Sequence, residues 1–131
     1  SAAVLKIYHL RSAQRFEQAT FNAFLDQAGE QAALGADLLS VNEVVLTPGV
    51  RQELSEQLSD GTAVIGVVAL FRSPAENRWR MAFDARTKNL PSDGITIGVH
   101  ACALTTDSSA LSSRISGDPG SLASVRCAGA R

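Results

Sequence analysis

Residues 62–72 read Thr-Ala-Val-Ile-Gly-Val-Val-Ala-Leu-Phe-Arg, with nine consecutive apolar or glycine residues (63–71) between Asp60-Gly61 and Ser73-Pro74. Val64, Ile65, Val67 and Val68 are β-branched, restricted in χ1 and well suited to packing on a pleated surface. An apolar run without polar alternation suits a strand covered on both faces. Periodicity alone does not separate such a strand from a buried helix, but the shortness of the run and its flanking turn residues favour the strand.

Upstream, residues 3–10 (Ala-Val-Leu-Lys-Ile-Tyr-His-Leu) alternate Ala3, Leu5, Ile7 and His9 against Val4, Lys6, Tyr8 and Leu10. That predicts a strand with one well-buried and one partly solvated face. The period then changes. Phe21, Phe24, Leu25 and Ala28 fall at i, i+3, i+4 and i+7, with Thr20 as N-cap and Gly29 as stop, which predicts an amphipathic helix preceded by Phe16. Residues 34–39 lead back through a glycine hinge, so residues 11–40 form a helical excursion. Residues 41–46 read as extended, and Thr47-Pro48-Gly49 is a turn signal. Residues 50–58 fit a helix or an edge strand equally.

Downstream, residues 78–86 predict a half-buried strand, with Trp79, Met81, Phe83 and Ala85 inward and Arg78, Arg80, Asp84 and Arg86 outward. A turn over residues 88–94 leads to another strand over 95–104. From residue 105 to 131 the chain is a Ser-, Ala- and Gly-rich tail, with 121–127 as a weak last strand. Six or seven strands and one helical insertion predict a single mainly β domain, a two-sheet β-sandwich spanning residues 1–131.

A net charge of −1 offers no general attraction to nucleic acid, and no run approaches the ~20 apolar residues that cross a bilayer as a helix. The chemistry-bearing residues are sparse. His100 and Cys102, alternating on a strand, would lie about 7 Å apart on one face; with His9 or Cys127 they make a candidate metal site. Zinc ligands with short spacing and a downstream methionine for copper are both missing from the pattern. Ser108, Ser109, Ser112 and Ser113 lack a nucleophile-elbow context, no glycine-rich phosphate loop is present, and Gly61 and Gly66 read as packing glycines. No enzymatic site is expected. Arg72, Arg78, Arg80, Arg86 and Lys88 read as the wet face of a strand, or else as a patch for an acidic partner. Cys102 and Cys127 either close a loop of about 25 residues, worth about 3–4 kcal/mol in the chain-entropy model, or stay as two buried thiols.

Several segments taken in order resemble the type VI secretion outer-membrane lipoprotein, the TssJ (SciN) family. They are Ile7-Tyr8-His9-Leu10; Phe16, Phe21 and Leu25; residues 34–39 (Leu-Gly-Ala-Asp-Leu-Leu); Leu46-Thr47-Pro48-Gly49; residues 64–72; and the strand around Trp79. The resemblance implies a transthyretin-like sandwich and turns residues 50–58 toward a strand. It also implies a non-enzymatic subunit on the periplasmic face of the outer membrane, held there by a lipidated N-terminal cysteine and binding the periplasmic C-terminal region of the inner-membrane protein TssM. Neither Cys102 nor Cys127 is that anchor. The family's first strand and the loop after it, implicated in TssM binding, are expected ahead of Ser1, so no binding residue is carried over. A periplasmic address favours a Cys102–Cys127 disulfide. The alternative reading is a small periplasmic binding or metal-binding sandwich using His9, His100 and Cys102.

Overall fold

The computed structural model describes residues 2–47, 49–86, 90, 94–115 and 117–128. Strand β1 (Ala3–Leu10) is followed by helix α1 (Gln14–Gln18), a 3₁₀ turn (Phe21–Phe24), helix α2 (Gln27–Leu34), a second 3₁₀ turn (Gly35–Asp37) and strand β2 (Leu38–Leu46). Strands β3 (Val64–Ala69), β4 (Arg80–Asp84), β5 (Ile97–Val99) and β6 (Leu104–Thr106) complete the order. The sheets are antiparallel, one ordered β2-β1-β3-β4 and the other β5-β6. The architecture is the expected mainly β, two-sheet arrangement with a small helical insertion.

The apolar run becomes β3, held between β1 and β4, and Val67, Val68 and Ala69 are buried. Tyr8 stands opposite Gly66, and Gly66 opposite Ala82, so Lys6, Tyr8, Leu10, Gly66 and Ala82 share one face of the sheet. The helical insertion lies on that face. A Cβ on Gly66 would sit 2.7 Å from Cε1 of Phe16, so this glycine lets α1 approach the sheet. Gly61 is different: its φ of +86° places it in a left-handed turn rather than a packing contact.

Beneath the insertion, Tyr8, Phe16 and Phe24 pack with ring centroids 5.4–5.8 Å apart, and Trp79 adds tilted and edge contacts to Phe24 and Phe21. Because this layer covers β1 on its Lys6–Tyr8 side while His9 on the other side is also buried, both faces of β1 are covered, not one.

Several expectations are corrected. The helix expected to begin after Thr20 and stop at Gly29 is a 3₁₀ turn followed by α2, which starts at Gln27 and carries Gly29 in its first turn. Asp26 is the N-cap, its Oδ1 accepting from the Gly29 N–H at 2.7 Å, and Gly29 is needed because a Cβ there would lie 2.6 Å from the Ala23 carbonyl oxygen. Leu25 consequently faces solvent. Residues 95–104 are not one strand but a hairpin: the His100 N–H bonds the Ala103 carbonyl at 3.0 Å, turning the chain so that Leu104 enters the core and its N–H reaches the Arg78 carbonyl. Residues 50–58 form neither helix nor strand, because no neighbouring strand among the described residues bonds their backbone; Val50, Leu54 and Leu58 are exposed. Residues 121–127 are turns, with Ser121 N–H bonded to the Asp118 carbonyl and Val125 N–H to that of Leu122. Lys88, Asn89, Pro91 and Asp93 of the expected 88–94 turn, and Pro48, lie outside the described residues.

Candidate functional site

The histidines and cysteines of the candidate metal site are dispersed. His9 lies on β1, where its Nδ1 accepts from the Ser59 N–H at 3.2 Å while Nε2 meets Glu56 Oε1 at 2.9 Å. The accepting Nδ1 leaves the ring proton on Nε2, donated to the carboxylate. Asn42 Nδ2 donates to the other oxygen of Glu56, and Ser40 bonds Ser59. This network tacks the irregular segment 50–59 onto β1 and β2 and occupies both imidazole nitrogens. His100, in the β5–β6 turn, is exposed and bonds Thr105 Oγ1 at 2.9 Å. Cys102 is bonded to Cys127, Cα to Cα 5.5 Å, beside Ala75, Ala103 and Val125. Among the described residues no group of three His, Cys, Asp or Glu is placed to hold a metal ion.

The basic cluster is also reassigned. Arg78 is buried, with Nη1 donating to the Leu104 carbonyl at 3.1 Å and Nη2 to those of Asp118 and Ser121 at 2.7 and 2.9 Å. Half-buried Arg80 donates to the Phe16 and Ala19 carbonyls and lies 4.4 Å over the Trp79 ring. Burial pushes the Arg80 guanidinium below its ordinary pKa. Arg78 therefore ties the tail to the body and Arg80 ties the helical insertion to β4; Arg72 and Arg86 stay exposed. Lys88 lies outside the described residues. Alternation along the strand signalled Arg78 and Arg80 as outward, but it could not signal the distant carbonyls that cover them.

A polar cluster that alternation left unnoticed sits under α2. Lys6 Nζ donates to Glu30 Oε2 at 2.7 Å and to the Phe24 carbonyl at 2.9 Å, and the Tyr8 hydroxyl bonds the same Glu30 oxygen. Burial, then the adjacent carboxylate, raises the Tyr8 pKa above its ordinary value. The cluster fastens α2 to β1 and presents no group to solvent.

The exposed chemistry is concentrated along β2. β1 fills one side of it, and no strand among the described residues fills the other. Val41 and Val45 are 40% and 61% exposed on the face that also carries Glu43, while Val50, Leu54 and Leu58 are exposed on the neighbouring segment. Unpaired backbone donors and acceptors beside exposed aliphatic side chains suit protein–protein association rather than catalysis. None of the described helices is long and apolar enough to cross a membrane.

No curated protein sequence matches the chain. Among solved structures, a chain of one described as "Type VI membrane complex" is 28% identical, with a TM-score of 0.71 over 81% of each chain. The T6SS lipoprotein TssJ1 from Pseudomonas aeruginosa is 27% identical, TM-score 0.71, over 82% of this chain and 79% of its own. A chain in a structure described as the TssM C-terminal domain from EAEC is 27% identical, TM-score 0.65, over 80% of this chain and 79% of that one. The model of the type VI secretion lipoprotein family (T6SS-SciN; VasD, EvfM, TssJ, VC_A0113) matches residues 1–102, leaving the Arg78 acceptors and Cys127 beyond the matched part. The chain belongs to the type VI secretion lipoprotein family.

Proposed function

We propose that this protein is a non-enzymatic assembly subunit of the type VI secretion envelope complex, held at the periplasmic face of the outer membrane by a lipidated cysteine outside residues 1–131 and binding the periplasmic C-terminal region of TssM. The observation that carries the reading is the match, over four-fifths of both chains, to a chain of a type VI membrane complex. The likeness to a chain in a structure described as the TssM C-terminal domain supports that partner. The protein's own chemistry agrees: buried charges are spent on internal ties, and Val41 and Val45 are exposed along an edge of β2 that no strand among the described residues pairs. A complex between the full chain and the purified periplasmic C-terminal region of TssM, seen by size-exclusion chromatography and titration calorimetry, is the expected result. Absence of binding at micromolar concentrations with both proteins folded overturns the assignment of the partner.

A further inference from the structure

The outer side of β2 has a definable complement. β1 pairs with β2 from Ala3↔Leu46 to Leu10↔Leu38, and the register shift lies at the far end, between His9 and Leu10. Along residues 40–46 (Ser-Val-Asn-Glu-Val-Val-Leu) the edge therefore runs regularly and carries neither lysine nor proline, the usual devices that keep an edge from pairing. The register sets Val4 opposite Val45, Lys6 opposite Glu43 and Tyr8 opposite Val41, so Val41, Glu43 and Val45 line one face in a row. All three are exposed.

The charge along that row is unbalanced. Lys6 stands opposite Glu43 but donates to Glu30 at 2.7 Å. One ammonium thus faces two carboxylates, which leaves a net negative charge at the edge. A second copy of the chain is a poor occupant. The antiparallel register that sets Val41 of one copy against Val45 of the other also sets Glu43 directly against Glu43, and directly opposed like charges are destabilising.

We propose that the free edge of β2 accepts an extended segment of a partner protein as an added strand, with a lysine or arginine opposite Glu43 and β-branched residues opposite Val41 and Val45. Main-chain hydrogen bonds supply affinity in this mode of recognition, and alternate side chains supply specificity. The inference goes beyond the function proposed above and holds whether or not TssM supplies the segment.

Titration of the ¹⁵N-labelled full chain with a capped peptide reading Thr-Val-Thr-Lys-Thr-Val-Thr tests it directly. Saturable shifts over residues 40–46 are expected, with slowed exchange of the β2 amides that point away from β1. Replacing the peptide's lysine by glutamate should weaken binding roughly fivefold, the scale of one cross-strand charge pair. N-methylation of the peptide along one edge should abolish binding. In Glu43→Gln the peptide should still shift β2, with the lysine-over-glutamate preference reduced below about twofold. Five outcomes overturn the proposal: a dimer paired through β2, no saturable shift with the lysine peptide, equal binding of the glutamate peptide, undiminished binding of the N-methylated one, or slow exchange of the outer β2 amides in the free full chain. The last would show the edge already covered by the chain itself; a concentration-dependent dimer paired through β2 would assign it to a second copy instead.

Discussion

Lys6 of β1 and Glu30 of α2 form a buried ion pair, Nζ to Oε2 2.7 Å, with side chains 8% and 4% exposed. The pair joins the helical insertion to β1, an inner strand of the four-stranded sheet, and the Phe24 carbonyl and Tyr8 hydroxyl complete its hydrogen bonding. Desolvating two charges offsets much of their attraction, so such a pair contributes less to net stability than its geometry suggests; its loss on one side only is costly.

Glu30→Leu should therefore destabilise the protein by about 3–5 kcal/mol, because buried Lys6 loses the carboxylate hydrogen-bonded to it. The combined Lys6→Met, Tyr8→Phe, Glu30→Leu variant should recover most of that loss by removing the charges together. Guanidinium denaturation of the variants measures both. Equal instability of the single and combined variants would show that packing, not charge, governs this contact.

Tyr8 is the one tyrosine in the sequence, so its ionisation can be read directly as phenolate absorbance. Its folded pKa is raised, which means the folded state retains a proton that the unfolded chain releases above about pH 10. Stability contributed by this group is intact below pH 10 and falls as pH climbs past it. Phenolate absorbance should appear together with loss of the near-ultraviolet circular dichroism, and Tyr8→Phe should flatten the alkaline fall in stability. Ionisation near pH 10 in a protein still folded would contradict the burial of this hydroxyl.

Arg78 donates to carbonyls at Leu104, Asp118 and Ser121, so its removal should act on the tail more than on the sheet. Arg78→Ala should cost about 3 kcal/mol, while Arg86→Ala, at an exposed position, should stay within about 0.5 kcal/mol. Limited proteolysis should cut the Arg78→Ala protein first between residues 107 and 121. Unchanged protection of that stretch would mean that its other ties, such as the Asp84 N–H to Ala110 carbonyl bond and the Ser112 N–H to Ala82 carbonyl bond, hold it without Arg78.

The Cys102–Cys127 bond predicts that alkylation without reductant adds no mass to protein matured in an oxidising compartment, and that reduction first adds two alkyl groups. Replacing both cysteines by alanine should lower stability by about 3–4 kcal/mol, the value for a loop of this length in the chain-entropy model. Two alkylated thiols in unreduced protein would rule the bond out.

Much of the sheet was legible along the chain because strand signals are local. The β-branched run of residues 64–69, the alternation of 3–10 and the Met81–Phe83 pattern each report a neighbour at a spacing of two. The β5–β6 hairpin was missed because its turn, His100-Ala101-Cys102-Ala103, contains no glycine, proline or asparagine. The Phe21, Phe24, Leu25 and Ala28 stripe suggested one helix; the Asp26 cap and the close contact of Gly29 with Ala23 divide it in two.

The candidate site was less legible. Exposure of Val41 and Val45 depends on which strands neighbour β2, and that is a property of the assembled sheet. Buried Lys6, Glu30 and Arg78 each look solvated in sequence, since a charged residue announces its charge but not the distant carbonyl or carboxylate that satisfies it.

Composition and periodicity by themselves determined a mainly β chain with a helical insertion, because hydrophobic spacing acts over a few residues. Only the tertiary structure decided that His9 is a tack, that Arg78 is a clamp and that β2 is an open edge. Each of those roles depends on a partner between 26 and 50 residues away, or on the lack of one among the described residues, and contacts across such separations form only when the sheets and the insertion close together.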